Sequence, residues 1–439
     1  MMDDYKLKIA YAIPEYVTEP EYGGLARYFD NIARLFADAG HEVVVFVQAL
    51  ESGMMEDYYP GIKVIRVLTD LSDVNPRIPG SYMRMWSNNI NQSIIDYMAD
   101  NGKFDLIQYS NFMAYGFDRL DIPTIVRLSS YRPLLRAADK NEFDIHEKFH
   151  SIKIPDYMED LSVLYADSVY GPSRVIADLV EEETGRSVDI IESPFYPKTE
   201  FSDAEAVDAY GDYVLTFGSL KILKGAKTIG DCIYKVLDNC KDLKWVFVGE
   251  EYYWKDEYGN EISPKEYISS QAKEYKDRCI FLGKLDWKKL CPIIKQSRFC
   301  VMPSRIDNLP NTCIEAMSLK KVVIGTKGAS FDQLLEDGKS GFLIERENPV
   351  ELSDCIIRVW RMDDAKLINM GEEAFKRTQK MNPQLIRNQL YEYYLKTIRE
   401  FNCIENHNND RIETFKQKYN TILRETKLEN IDELSSYLL

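Results

Sequence analysis

Histidine is scarce in this chain, with four among 439 residues: His41, His146, His150 and His407. Zinc sites draw on His and Cys at short fixed spacings. Only His146 and His150 stand at i, i+4, and in DIHEKFHSIKIPD the simpler expectation is two solvent-facing side chains. Cysteine is absent before Cys232, and Cys240, Cys279, Cys291, Cys300, Cys313, Cys355 and Cys403 follow without a close C-x-x-C pair. Buried thiols in a reducing compartment are therefore expected, rather than disulfides or a metal centre. Positive charge is in deficit, 55 Lys and Arg against 71 Asp and Glu for a formal net charge of −16. That balance argues against nucleic acid as a partner, although an anionic small molecule could still sit in a locally basic cleft. No apolar run has the length of a bilayer span, and the acidic start MMDDYKLKIAYAIP lacks the basic n-region of a signal peptide. A cytoplasmic location is expected. Peripheral membrane contact stays open, without a clear basic amphipathic helix to support it. No D-x-D motif falls at an expected strand end, so neither a metal nor a cofactor is expected.

The size, 51.0 kDa, exceeds what one hydrophobic core usually serves, which suggests two domains and a tail. LKIAYAIP reads as a buried strand, EYGGLARYFDNIARLFADAG as a glycine loop followed by a helix, and HEVVVFVQ as a second buried strand. Leu25, Tyr28, Ile32, Leu35 and Phe36 recur at helical spacing, and Gly40 suits the position just past the helix end. Such a βαβ unit implies a parallel sheet with right-handed crossovers. The alternation runs on through KVIRVLT, FDLIQYS, PTIVRLSS, ADSVYGPS and VDIIESP. After a polar linker it resumes with DYVLTFGSL, a helix from about Gly225 to Cys240, LKWVFVGE, CIFLGKL, SRFCVMPS, KVVIGT and GFLIE. The expected fold is α/β, two Rossmann-like doubly wound domains facing a cleft, with C-terminal helices. The expected bounds are 1–196, a linker at 197–210, a second domain at 211–384, and helices with a tail at 385–439, the first packing back on the first domain.

The stretch PSRIDNLPNTCIEAM, Pro303 to Met317, carries the most specific chemistry. A helix beginning near Asn308 or Leu309 would present unpaired amides and a partial positive charge to an anion, with Pro310 tolerated in its first turn. Glu315 would stand about 10 Å further along the axis, its side chain leaning back toward the helix start. A diphosphate on the amides, flanked by the carboxylates of Asp307 and Glu315, suits a sugar nucleotide. A plain surface helix fits the segment equally well. In FGSLKILKG, Lys224 follows a strand and can face negative charge that develops on a leaving group.

These segments, in order over roughly residues 7 to 400, resemble the family-4 retaining glycosyltransferases with the GT-B fold, within glycosyl transferases group 1. The resemblance implies transfer of a hexosyl-type sugar from a UDP- or GDP-sugar to a carbohydrate or glycolipid hydroxyl, without metal or cofactor, in polysaccharide or glycoconjugate biosynthesis. It implies an acceptor-binding first domain and a donor-binding second domain. On that pattern Asp307, Glu315 and Lys224 are catalytic candidates. Donor contacts are expected from Gly218, Ser219, Gly249, Glu250, Lys284, Leu285, Arg305, Asn308, Leu309, Pro310, Asn311 and Thr312. Gly23 and Gly24 match the family's loop after the first strand, and Arg127, Ser129 and Arg132 are acceptor-side candidates.

The sequence departs from the pattern at three points. Asp307 is one methylene shorter than the usual Glu, Ser219 replaces an arginine, and Ser129 stands where a histidine is common, so Lys221 or Arg305 would have to supply a second cation. A non-catalytic partner or sugar-binding protein of the same fold, a nucleotide-sugar epimerase, and a phosphorylase are the alternatives. The segment EEYYWKDEYGNEISPKEY, Glu250 to Tyr267, is long and aromatic for a loop, and a surface helix-turn connection is expected there. Base, sugar, acceptor and oligomeric state are not legible.

Overall fold

The computed structural model describes residues 5–20, 22–49, 51–68, 74, 80–133, 149–197, 210–256, 258–401 and 412–417. They divide into two compact units, one of residues up to 133, 149–194 and 383 onward, the other of 195–382. The His146/His150 pair, most of the linker and most of the tail beyond Phe401 lie outside the described side chains.

In the first unit, β1 (Lys8–Ile13), α1 (Gly24–Asp38) and β2 (Glu42–Ala49) form the βαβ start. Then come β3 (Gly53–Tyr59), β4 (Ile62–Leu68), α2 (Ser81–Asn101), β5 (Leu106–Ser110), β6 (Thr124–Arg127), α3 (Phe149–Tyr165), β7 (Ser168–Gly171), α4 (Arg174–Thr184) and β8 (Asp189–Ile190). The sheet order is β3-β4-β2-β1-β5-β6-β7-β8. Every pairing is parallel except β3 with β4. That antiparallel edge was not expected. Its signal is YPG before β4, where Gly61 takes φ +81 and turns the chain. β1 and β2 are buried on both faces, as helix-covered parallel strands must be.

The second unit is built from β9 (Tyr213–Phe217), α5 (Ala226–Asn239), β10 (Lys244–Val248), β11 (Trp254–Lys255), β12 (Glu261–Ile262), α6 (Pro264–Ala272), β13 (Cys279–Phe281) and α7 (Trp287–Gln296). It continues with β14 (Phe299–Val301), α8 (Asn311–Ser318), β15 (Val323–Thr326), α9 (Phe331–Leu334), β16 (Phe342–Ile344), α10 (Pro349–Trp360) and α11 (Asp364–Thr378). Its main sheet, β13-β10-β9-β14-β15-β16, is parallel and has the strand order of a dinucleotide-binding fold. The core is mostly apolar. Trp245 stacks on Phe247 at 5.7 Å and Phe247 on Phe281 at 4.6 Å. The indole N–H of Trp245 is satisfied by Thr216 Oγ1 at 3.0 Å, whose own hydroxyl donates to the Val301 carbonyl.

A last helix, α12 (Pro383–Glu400), belongs to the first unit. Its Tyr394 stacks on Phe36 at 5.0 Å and donates to Gln108 Oε1 at 2.6 Å, within a cluster holding Leu7, Tyr11 and Phe29. Each such buried aromatic or Leu contributes about 1.5–3 kcal/mol. Among the described residues no helix is long and apolar enough to cross a membrane.

Candidate functional site

The polar candidates of the second unit gather at the carboxyl ends of its parallel strands, where glycines let three strand exits touch. Gly249 has φ +154, and a Cβ there would land on the carbonyl oxygen of Gly218. Gly218 N–H donates to Val248 O and Gly249 N–H to Gly283 O, both at 2.9 Å. A second glycine device holds the turn after β9. Gly225, φ +83, leaves no room for a Cβ against the Pro303 carbonyl, and Arg305 N–H donates to Leu223 O at 2.9 Å. The Ile222–Lys224 turn is thereby clamped to the exit of β14.

That clamp sets Lys224 against Asp307. Their side chains form an ion pair, Lys224 about a third exposed (31%) and Asp307 half as much (16%). The lysine lines a small pocket, about 20 Å³, with Thr216, Ser219, Leu220, Lys221, Ser304 and Thr312. The Asp307 carboxylate therefore holds the Lys224 ammonium. An arriving diphosphate would have to compete for it.

Helix α8 begins at Asn311 with Pro310 as its N-cap, two to three residues later than the sequence suggests. The cause is tertiary. Leu309 is buried in the core, and Ser330 Oγ donates to the Asp307 carbonyl at 2.8 Å, which keeps Asp307–Pro310 out of the helix. The first-turn amides without intrahelical acceptors are then those of Asn311, Thr312 and Cys313. The N-cap, Pro310, makes no capping bond through its side chain, and the Thr312 methyl lies 3.2 Å from where a Gly218 Cβ would be, so the start faces the Gly218 loop. Glu315 is half-buried one turn further on. Asn308 is half-buried in the preceding loop.

Other donor-side candidates are less converged. Arg305 Nη2 pairs with Glu347 at 2.9 Å rather than lining the pocket, so Lys221 is the second cation at the pocket itself. Glu250 and Lys284 pair on the surface at 3.4 Å, and Leu285 packs against the core. The Glu250–Tyr267 segment is not a helix-turn connection. It is a β-hairpin, β11 with β12, leading into α6. Asp256 Oδ1 accepts from Tyr258 N–H and Asn260 N–H, an Asx-type turn with Gly259 at φ +83, and that signal was present in DEYGN. The stem is tied to the pocket loop, since Leu220 N–H donates to Glu250 O and Tyr252 N–H to Leu220 O.

In the first unit the strand ends are already filled. Gly23 is the N-cap of α1, but its N–H donates to Glu15 Oε2 at 3.1 Å and Ala26 N–H to Glu15 Oε1 at 3.3 Å. The Gly23 and Ala26 amides at the start of this helix thus meet an internal carboxylate. Glu15 escaped the sequence reading because PEYVTEPEYGG holds three glutamates with nothing local to rank them. Ser129 bonds Asn111 Oδ1 through both its amide (2.7 Å) and its hydroxyl (2.9 Å). Arg132 pairs with Glu159 at 2.8 Å and stacks over Phe112. Burial pushes the Glu159 carboxyl up to about 7, against the opposing pull of Arg132 and of the Met113 N–H. Met113 and Ala114 both sit at positive φ, +72 and +53, a strained pair beside this carboxyl. Arg127, at the end of β6, lies over the Tyr28 ring at 3.5 Å and reaches Ser193 Oγ at 3.2 Å. Of the described cysteines, all but half-buried Cys279 are buried, and all are unbridged. Among the described residues no cluster of His, Cys, Asp or Glu has the geometry to hold a metal.

Residues 211–362 match the family model described as glycosyl transferases group 1, and this stretch is a domain of that type. The α-D-kanosaminyltransferase of Streptomyces kanamyceticus is 23% identical over 181 residues, 40% of this chain and 44% of that protein. The chain spans less than half the length of the curated relatives it matches. Among solved structures, sucrose-phosphate synthase from Thermosynechococcus elongatus superposes with TM-score 0.68 at 18% identity, over 89% of this chain and 98% of that one. HepE of Anabaena in complex with UDP superposes with TM-score 0.65 at 17% identity, over 89% and 100%. The fold is the GT-B fold anticipated from the sequence.

Proposed function

We propose that this chain is a family-4 retaining glycosyltransferase that moves a hexosyl group from a UDP- or GDP-sugar to a hydroxyl of a carbohydrate or glycolipid acceptor. The second unit would bind the donor and the first would recognise the acceptor. The observation that carries this reading is Lys224, clamped by Gly225 and paired with Asp307 on a pocket that Thr312 in the first turn of α8 also lines. Support comes from the group 1 match over that unit and from the UDP bound by the Anabaena relative in fold. Assembly of polysaccharide or glycoconjugate in the cytoplasm, with peripheral membrane contact, belongs to the same reading.

In the proposed reaction the bond between the anomeric carbon and the β-phosphate oxygen breaks as the acceptor oxygen attacks the same face. The acceptor proton passes to the departing phosphate. Negative charge on the diphosphate grows through this step, and Lys224 with the amides of Asn311 and Thr312 would hold it. Lys224 would leave Asp307 for the phosphate, freeing that carboxylate for the sugar hydroxyls, while Glu315 would accept hydrogen bonds from the ribose. Positioning and charge stabilisation then supply the catalysis, without a protein nucleophile.

A thermal-shift and hydrolysis screen against UDP-, GDP-, ADP- and TDP-sugars tests this, since a bound donor stabilises the folded state. One donor should raise Tm and release nucleoside diphosphate, with the anomeric configuration retained in the product by NMR. Absence of stabilisation by every donor sinks the reading. Stabilisation without turnover would favour the sugar-binding alternative, which Ser219 and Ser129 keep in view.

A further inference from the structure

Among the described residues three arginines are less than a tenth exposed: Arg127, Arg186 and Arg305. Two are compensated. Arg305 meets the Glu347 carboxylate at 2.9 Å, and Arg186 Nη2 donates to the carbonyls of Ala166 and Asp167. Arg127 has neither a carboxylate nor a carbonyl. It is 4% exposed, Nη2 donates to the neutral Ser193 hydroxyl, a further side-chain hydrogen bond joins it to Tyr28, and its Nε is buried without a partner. The remaining contact is the Tyr28 face at 3.5 Å, whose hydroxyl shares a 2.6 Å hydrogen bond with Tyr170.

A buried guanidinium held only by the neutral side chains of Ser193 and Tyr28 is an expensive arrangement, because buried charges are normally paired with an opposite charge. Its place makes it informative. Arg127 is the last residue of β6, at the carboxyl edge of a parallel sheet where such folds take their ligands, and it reaches across to the second turn of α1. The planar fork of Arg matches phosphate and carboxylate oxygens in pairs.

We propose that the carboxyl end of β6 binds an oxyanion, a phosphate or carboxylate borne by the sugar acceptor, with Arg127 as its ligand and Tyr28 and Ser193 fixing the guanidinium plane. The assignment to an acceptor rests on the transferase reading above. The anion site itself does not.

The test is a set of thermal melts of the full chain at constant ionic strength, with inorganic phosphate, glucose 6-phosphate, glucuronate, or glucose as neutral control. The wild type should gain about 2–4 °C with a phosphate or carboxylate probe and nothing with glucose. Inorganic phosphate acting alone would mark a free-anion site, whereas a larger shift with a sugar-borne group would mark a substrate site. Arg127→Met keeps the length of the side chain and loses the charge. It should melt at or above the wild-type temperature without anion, and should lose the anion response. The proposal falls if no anion stabilises the wild type, if Arg127→Met keeps the response, or if that variant melts several degrees lower, which would make Arg127 a structural cation. Should Arg127→Met not fold, Arg127→Lys with Ser193→Ala as its companion decides the matter. Arg127→Lys should retain part of the response and Ser193→Ala should weaken it, and full retention in Ser193→Ala with none in Arg127→Lys would overturn the role given to Ser193. UDP is run in parallel. GDP is run beside it. A nucleotide shift that survives in Arg127→Met separates this site from the donor site, and a wild type that responds to anions but to no sugar nucleotide of the donor screen would spare this proposal while ending the donor reading.

Discussion

The two units use the same βαβ frame and finish their strand ends in opposite ways. In the second, glycines at 218, 225 and 249 draw the loops together and leave side-chain space beside Lys224. In the first, the corresponding edge is filled by side chains that answer each other, Glu15 on the amides of α1, Asn111 on Ser129, and Glu159 on Arg132. One edge is shaped by what the backbone can approach, the other by polar pairing at a cost in burial. On both edges a charged side chain is already engaged, Lys224 by Asp307 and Arg132 by Glu159, so a ligand at either has to exchange an existing ion pair for new bonds.

The sharpest way to break the first half of this contrast is Gly249→Ala. The new methyl cannot coexist with the Gly218 carbonyl, and φ +154 disfavours any side chain, so urea melts should report a loss of about 3 kcal/mol or more together with the nucleotide response. Unchanged stability would show that the laced strand ends do not matter.

Glu159 tests the second half. Its folded-state pKa of about 7 lies above its ordinary value of 4.5, so the folded state holds the proton more tightly and stability should fall as pH rises from about 4.5 to 7, then level off. The shift corresponds to about 3 kcal/mol at most. Glu159→Gln should flatten this part of the stability–pH curve, and an unaltered slope would assign it to other groups.

Lys224→Met and Asp307→Ala should each lower donor turnover at least about tenfold, roughly 1.4 kcal/mol of barrier, without unfolding the protein. If the pair acts as a unit, the double variant should lose less than the product of the single losses. The smallest effect is expected from Tyr394→Phe, which removes a buried hydrogen bond to Gln108 and should cost about 1 kcal/mol in a denaturant melt while leaving the nucleotide response intact.

Much of the frame was legible because parallel strands buried on both faces leave long apolar runs, as in HEVVVFVQ, which forms β2. Lys224 and Asp307 were legible as charged residues at strand ends, but their mutual pairing was not, since it depends on Gly225 meeting Pro303 from 78 residues away. The start of α8 was read early for the same reason. Nothing local in DNLPNT reveals that Leu309 is core or that Ser330 holds the Asp307 carbonyl. Glu15 and the unpaired charge on Arg127 are also tertiary facts, because a missing counter-ion leaves no mark on the sequence. The hairpin at β11 and β12 is different, since its Asx-Gly turn was present and only the aromatic bulk around it misled.

The return of α12 to the first unit orders events during synthesis. All of the second unit's described residues, 195–382, have left the ribosome once Asn382 has, so it can fold while the first still lacks Leu390 and Tyr394. The side chains of Tyr11 and Phe36, translated early, must wait for more than 340 further residues before their cover arrives. At about 5–20 residues per second that wait is on the order of tens of seconds. A premature stop after Asn382 would therefore release a finished second unit joined to a first unit with an open apolar wound, which is the part a chaperone or protease would meet.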